Sequence, residues 1–205
     1  MKNALTIIFS LLLISQVLFA QEETEKEPTL TFAELVEKNL MTFAMPEGYK
    51  EVETIKNPHM NYEYAIKHET EDFEIRYAIR SLEGLINDYE EREKNKKEGE
   101  ENSHPNAMYP TIAFVVGSNI SGIMPDKMKI APFPDESVKN EFGADKGCNT
   151  TFDQVREQFA NGYKNCTMVV IQKDDVATAY CFFMYNDVNT FMKLAMPTFY
   201  RLRFK

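Results

Sequence analysis

The sequence predicts an α+β fold: one antiparallel β-sheet with helices packed on both faces, an α/β/α sandwich. Three observations lead there. Residues 60–81 and 164–185 each read as two strands joined by a short polar loop. The second of these hairpins is apolar on both faces, which requires cover on both sides of its sheet. Amphipathic helical stripes stand before, between and after the hairpins.

The chain opens with MKNALTIIFSLLLISQVLFA: one lysine, an apolar run from Ala4 to Leu13, and Ala20 before the polar run QEETEKEP. That is the layout of a cleaved secretory signal at residues 1–20. The apolar run is marginal for a bilayer span, which disfavours the rival reading of an uncleaved anchor. Leu18 at position −3 is large for a cleavage site and leaves the cut itself open. Residues 21–30 read as a solvated linker and 31–205 as a single domain, secreted or periplasmic. Removing the signal leaves 32 acids against 22 Lys plus Arg, because Lys2 is lost. So acidic a chain excludes nucleic acid, whose phosphates need a basic patch, and disfavours anionic membrane surfaces. No later segment is long and apolar enough to span a membrane once the signal is removed.

Within the domain, TFAELVEKNL (31–40) places Phe32, Leu35, Val36 and Leu40 on one stripe. Thr31 and Glu34 stand at capping-box spacing. MTFAMPEGYKEVE gives a short strand, a Pro-Glu-Gly turn and a second strand. The hairpin that follows, MNYEYAIKH and FEIRYAIRS, alternates strictly. Its four-residue loop sets His68 opposite Phe73, Tyr64 opposite Tyr77, and Lys67 opposite Glu74 on the outer face. SLEGLINDYEEREKNKKEGEE begins as an amphipathic helix and runs out into charge alone. Residues 104–122 read as a largely buried helix with Pro105 in its first turn. A proline-punctuated connection follows, with one helical turn at 134–141, and then a strand at DKGCNTTFDQV. The final helix carries Val188, Phe191, Met192, Ala195, Met196 and Phe199 on its apolar stripe and is capped by Asn186 or Asp187. Pro197 kinks or ends it.

This order resembles the PsbP/Mog-like fold, a group that includes the P subunit of the photosystem II oxygen-evolving complex and a Ran-binding nuclear import factor. The resemblance lies in FAMPEGYKEV (43–52), the central hairpin, and YKNCTMVVIQKDDVATAYCFFMYND (163–187) running into the last helix. It implies an antiparallel sheet between helices and a non-enzymatic assembly or binding role. It supplies no functional residue for this chain. The short leader followed by Gln21 also resembles exported proteins of the Bacteroides group.

Chemistry-bearing residues are sparse. His59, His68 and His104 are far apart and show no metal-ligand spacing, and no Gly-rich phosphate loop or other cofactor motif is present. His68 reads as a structural histidine closing a strand face. Ser118 lies in VGSNISG, which lacks the Gly-x-Ser-x-Gly elbow; a Ser118–His104 dyad is the one hydrolase arrangement in residues 104–122. Asp174-Asp175 reads as a hairpin turn. The three cysteines raise a disulfide, since an exported chain meets an oxidising environment. With Asp174-Asp175 as the two turn residues, Cys181 faces Met168 and Cys166 faces Phe183, sharing a face diagonally. Moving the turn to Lys173-Asp174 aligns them directly. Cys148–Cys166 is the preferred bridge, with a loop-entropy contribution of roughly 3 kcal/mol, and Cys166–Cys181 is the alternative. A thiol-redox role needs an exposed, low-pKa pair. The reading is therefore a non-catalytic domain for a protein or small-ligand partner. No catalytic, cofactor or metal residue is assigned, and a hydrolase or a thiol-redox protein stands as the alternative.

Overall fold

The structure, a computed structural model, describes residues 30–205. The expected signal (1–20) and all but the last residue of the expected linker (21–30) lie outside the described residues. The elements in order are α1 (Phe32–Lys38), β1 (Met41–Phe43), β2 (Tyr49–Glu51), β3 (Tyr64–His68), β4 (Phe73–Ser81), α2 (Glu83–Lys94), α3 (Tyr109–Ser121), β5 (Ala131–Pro132), α4 (Asp135–Phe142), β6 (Lys146–Phe152), α5 (Glu157–Ala160), β7 (Asn165–Lys173), β8 (Ala177–Tyr185), α6 (Val188–Thr198) and β9 (Leu202–Phe204). Single 3-10 turns lie at Pro105–Met108 and Pro125–Lys127.

Seven strands form one antiparallel sheet in the order β2-β3-β4-β8-β7-β6-β5. The α+β class and the two-sided cover follow the sequence reading. One face packs Phe73, Ile75, Tyr77, Val169, Ile171, Cys181 and Phe183 under α1, α4 and α6. The other packs Ala78, Cys166, Met168, Val170, Tyr180, Phe182 and Met184 under α3 and Phe159 of α5. β8 is buried along its whole length and β7 along all but its two ends. Each fully buried Phe of this ribbon contributes roughly 1.5–3 kcal/mol of transfer free energy, so it anchors the domain.

The β3–β4 register is the expected one, Tyr64 opposite Tyr77 and Lys67 opposite Glu74. The face expected to be solvated is not. Glu74 and Arg76 are 6% and 0% exposed, beneath α5. Arg76 Nε donates to Glu74 Oε1 at 2.6 Å, and its other nitrogens donate to the carbonyls of Phe159 and Ala160. Its guanidinium lies 5.1 Å from the ring centroids of both Tyr62 and Phe159. A buried charge needs a counter-charge and satisfied donors, and here α5 supplies terminal carbonyls while Glu74 supplies the charge. Lys67 turns instead to Asp72, at 3.1 Å.

The β7–β8 hairpin differs from the expectation by one residue. Lys173 pairs with Ala177, leaving the three-residue loop Asp174-Asp175-Val176 with Asp175 at φ 63°. The expected loop had two residues. The extra one reverses the parity of β8: Cys181 lies opposite Val169 rather than Met168, and Cys166 opposite Met184 rather than Phe183.

The chain's last strand was not foreseen. β9 pairs antiparallel with β1 in a separate two-stranded ribbon, Met41 opposite Phe204 and Phe43 opposite Leu202. β1 and β2, which flank the Pro-Glu-Gly turn, therefore belong to different sheets. α6 ends at Thr198, with Pro197 in its last turn and Asp187 as its N-cap. The helix expected at 134–141 is the two-turn α4 at 135–142.

Candidate functional site

The residues singled out in the sequence are not brought together. Cys148 lies opposite Val170, and Cys166 lies opposite Phe152. The two cysteines sit on neighbouring strands but four residues apart along them, about 13 Å. A disulfide needs Cα atoms within about 7 Å, so the expected Cys148–Cys166 bridge does not form. The changed parity of β8 removes the alternative: Cys166 and Cys181 belong to opposite cores. All three are free, buried thiols. Burial pushes Cys166 and Cys181 up to about 12 and raises Cys148 as well, the reverse of a reactive thiolate.

His104 and Ser118 are also separated. Ser118 is nine residues along α3 from Tyr109, a rise of about 14 Å, while His104 precedes the helix. His104 Nδ1 accepts from the Asn106 amide at 3.3 Å, and its ring packs edge-on against Tyr89. His68 Nδ1 accepts from the amides of Thr70 and Glu71, closing the β3–β4 loop as a structural histidine does. His59 Nε2 meets Gln158 Oε1 at 2.7 Å. Asp174 accepts from Lys146 and Gln172 beside the hairpin loop, and Asp175 from Asn106. Each of these histidines and aspartates has a local structural partner, whereas the Ser118 hydroxyl is buried without one among the described residues. Among the described residues, no group of three or more His, Cys, Asp and Glu is placed to hold a metal ion.

The arrangement that does converge is an aromatic cleft with an acidic rim. The Thr31–Glu34 capping box forms as expected, with the Thr31 amide donating to Glu34 Oε2 at 2.7 Å and Thr31 Oγ1 accepting from the Glu34 amide at 3.3 Å. It fixes where α1 starts and so presents Phe32 at the helix's first position. Phe32 stacks on Tyr64 of β3 with centroids 4.4 Å apart and planes 1° from parallel. Phe43 of β1 meets both edge-on, at 5.3 and 5.5 Å. Tyr77 lies behind them, 5.2 Å from Phe43.

These three rings, with Thr31, Ala33 and Val36, line a recess of about 490 Å³ whose remaining walls are Glu51 and Glu63. That volume suits a small ligand. All three rings are half-buried, so part of each remains open to a ligand. Glu63 is committed: its carboxylate accepts from Arg80 Nη1 at 2.7 Å and from the Ile79 amide at 3.0 Å. Glu51 is exposed and forms no ion pair among the described residues. Burial raises the Tyr64 phenol above its ordinary value, and the neighbouring Glu51 charge and hydrogen bond add to the rise. Tyr64 therefore stays a neutral donor at physiological pH, and Glu51 supplies the negative charge.

A second polar recess, of about 260 Å³, is lined by Lys67, Asp72, Glu74, Tyr163 and Asn186. Its charges are consumed internally. Lys67 and Asn186 both donate to Asp72, and Glu74 is held by Arg76. The aromatic cleft escaped the sequence reading because its rings come from three elements. Phe32 and Tyr64 were both legible as core positions, but nothing local says that they stack on each other. No protein-family model matches the chain, and no curated protein matches it either.

Proposed function

We propose that the chain is an exported, non-catalytic binding domain of the PsbP/Mog-like kind, and that its aromatic cleft recognises a cationic group such as a quaternary ammonium or the amine of a lysine side chain. The observation that carries this reading is the meeting of three half-buried rings with the carboxylate of Glu51, which no ion pair neutralises among the described residues. Aromatic rings attract a cation through their quadrupole, by about 0.5–2 kcal/mol according to how far it is desolvated. The carboxylate adds charge complementarity, and its hydrogen bond with the Tyr64 hydroxyl holds it beside the rings. A non-catalytic role is supported by the scattering of the potential nucleophiles and bases and by thiols whose burial suppresses the thiolate.

The test is a titration of the ¹⁵N-labelled protein with choline and with its uncharged isostere 3,3-dimethyl-1-butanol. Choline is expected to shift amide resonances around Phe32, Phe43 and Tyr64 and to bind about 3–30-fold more tightly than the neutral alcohol. Glu51→Gln is expected to erase most of that preference while leaving the fold intact, since Glu51 is exposed. Equal affinity for the charged and neutral ligands, or shifts located elsewhere, overturns the assignment.

A further inference from the structure

The outward face of the β1–β9 ribbon carries a second, oppositely charged surface. β9 alternates as a half-buried strand must: Leu202 and Phe204 are 1% and 3% exposed, while Arg203 and Lys205 face out. Arg201, two residues before Arg203, continues the same row, and Thr42 of β1 lies opposite Arg203. Two recesses meet along this row and share Thr42 and Arg203. One, of about 490 Å³, holds Arg201 between Pro197 and Tyr200. The other, of about 530 Å³, runs past Gly143 to Lys139, Lys173 and Lys205. Together they form one trough.

Its charge is inverted relative to the rest of the molecule. The chain carries −9 overall, yet five cationic side chains line the trough against two acidic ones, Glu141 and Asp145. Asp145 is already engaged, accepting from the Asp174 amide at 2.9 Å. None of the five cations forms an ion pair among the described residues. Lys173 and Arg201 donate only to the carbonyls of Gly143 and Pro197, which leaves their charge uncompensated. Gly143, the C-cap of α4, lets that helix end pack closely on β9: it adopts φ 60°, and a Cβ there would lie 2.6 Å from the Phe204 carbonyl oxygen.

We propose that this trough docks an extended acidic segment of a partner protein, with carboxylates at alternate residues. Arg201, Arg203 and Lys205 repeat at the two-residue period of a strand, about 6.7 Å, which is also the spacing of same-side side chains in an extended peptide. Three cations at that spacing cover about 13 Å of ligand backbone, and Lys139 and Lys173 line the same recess as Arg203 and Lys205. A membrane surface is the weaker match, because the cations line a recess within an acidic molecule rather than a basic plane. The surface is independent of the cation-binding reading. Phe43 borders both sites, but none of the five cations lines the aromatic cleft.

Fluorescence anisotropy of a labelled peptide of alternating Glu and Thr, titrated with the full chain, tests this. Saturable binding is expected at 20 mM salt, weakened about tenfold at 200 mM, as screening of exposed charges requires. The double variant Arg203→Glu/Lys205→Glu is expected to lose at least tenfold in affinity, and Lys139→Glu about threefold. Both change exposed residues, and choline binding at the aromatic cleft together with near-UV circular dichroism is expected to be unchanged. The proposal is overturned by absence of saturable binding, by equal affinity of the folded variants, by equal affinity for a peptide of the same composition with its glutamates in one block, or by a preference for phosphatidylglycerol vesicles over the peptide.

Discussion

The β3–β4 and β7–β8 hairpins are neighbours in one sheet, yet only the first has the register its sequence suggests. β3 and β4 alternate between residues of different character, so a slip of one position would carry Lys67, Glu74 and Arg76 into the Tyr77 core. β7 and β8 are apolar on both faces, and a slip exchanges one set of buried residues for another of similar hydrophobicity. Pattern fixes register only where the two faces differ. In β7–β8 the choice falls to the loop, where Asp175 at φ 63° adds the third residue and Asn106 holds it through both its amide and its carboxylate. The polar residues of β4 that help make the register legible are not a solvated face, however. Glu74 and Arg76 form a buried ion pair, so the same feature that reveals the register conceals the burial.

Thiol reactivity is the widest test of this contrast. If β8 has the parity described, Cys166 and Cys181 lie in opposite cores and neither reaches solvent or its fellow. The native protein at pH 8 is expected to react with an aromatic disulfide reagent at least about 10³-fold more slowly than the denatured protein, because reaction waits on opening of the core. Three thiols are expected after denaturation without reductant. Recovery of only one thiol would mean a bridge and a different register.

Next in size is the ion pair of β4. Glu74→Ala leaves Arg76 buried without its counter-charge, and about 3–5 kcal/mol of stability should be lost in urea unfolding. The paired replacement Glu74→Leu/Arg76→Met is expected to recover most of it. If the single variant costs no more than a surface pair, the second face of β4 is wetter than described and the contrast between the hairpins narrows.

The smallest effect belongs to the loop. Asp175→Val places a β-branched side chain at positive φ and is expected to cost about 1–2 kcal/mol, whereas Asp175→Asn should be nearly neutral. Equal stabilities for the two would show that the loop does not hold the left-handed residue, and with it the three-residue register.

The layered α+β architecture, the β3–β4 register and the α1 cap were all legible, because each rests on local periodicity or on residues three or four apart. The rest depends on contacts that local pattern does not encode. RLRFK at 201–205 alternates like a strand, but the same basic residues suit a helix C-terminus, and only its partner β1 decides between the two. The stripe read on α6 was half right. Ala195 is buried and Phe191 and Phe199 pack on the sheet, whereas Val188, Met192 and Met196 are 57%, 67% and 66% exposed. Leu194 and Thr198 take inward places instead, which rotates the buried face by a fraction of a turn. The aromatic cleft was invisible for the same reason as the ribbon, since its rings meet only after three distant segments assemble.

That ribbon also has a consequence for biogenesis. β9 follows every other strand of the described residues, and its Leu202 is the backbone partner of Phe43, one wall of the aromatic cleft. Such a distant pairing carries a high loop-closure cost and belongs to the last events of folding. Until β9 docks, the Phe43 wall is unanchored and the recess is unfinished, so the cleft takes shape after the sheet that carries Tyr64.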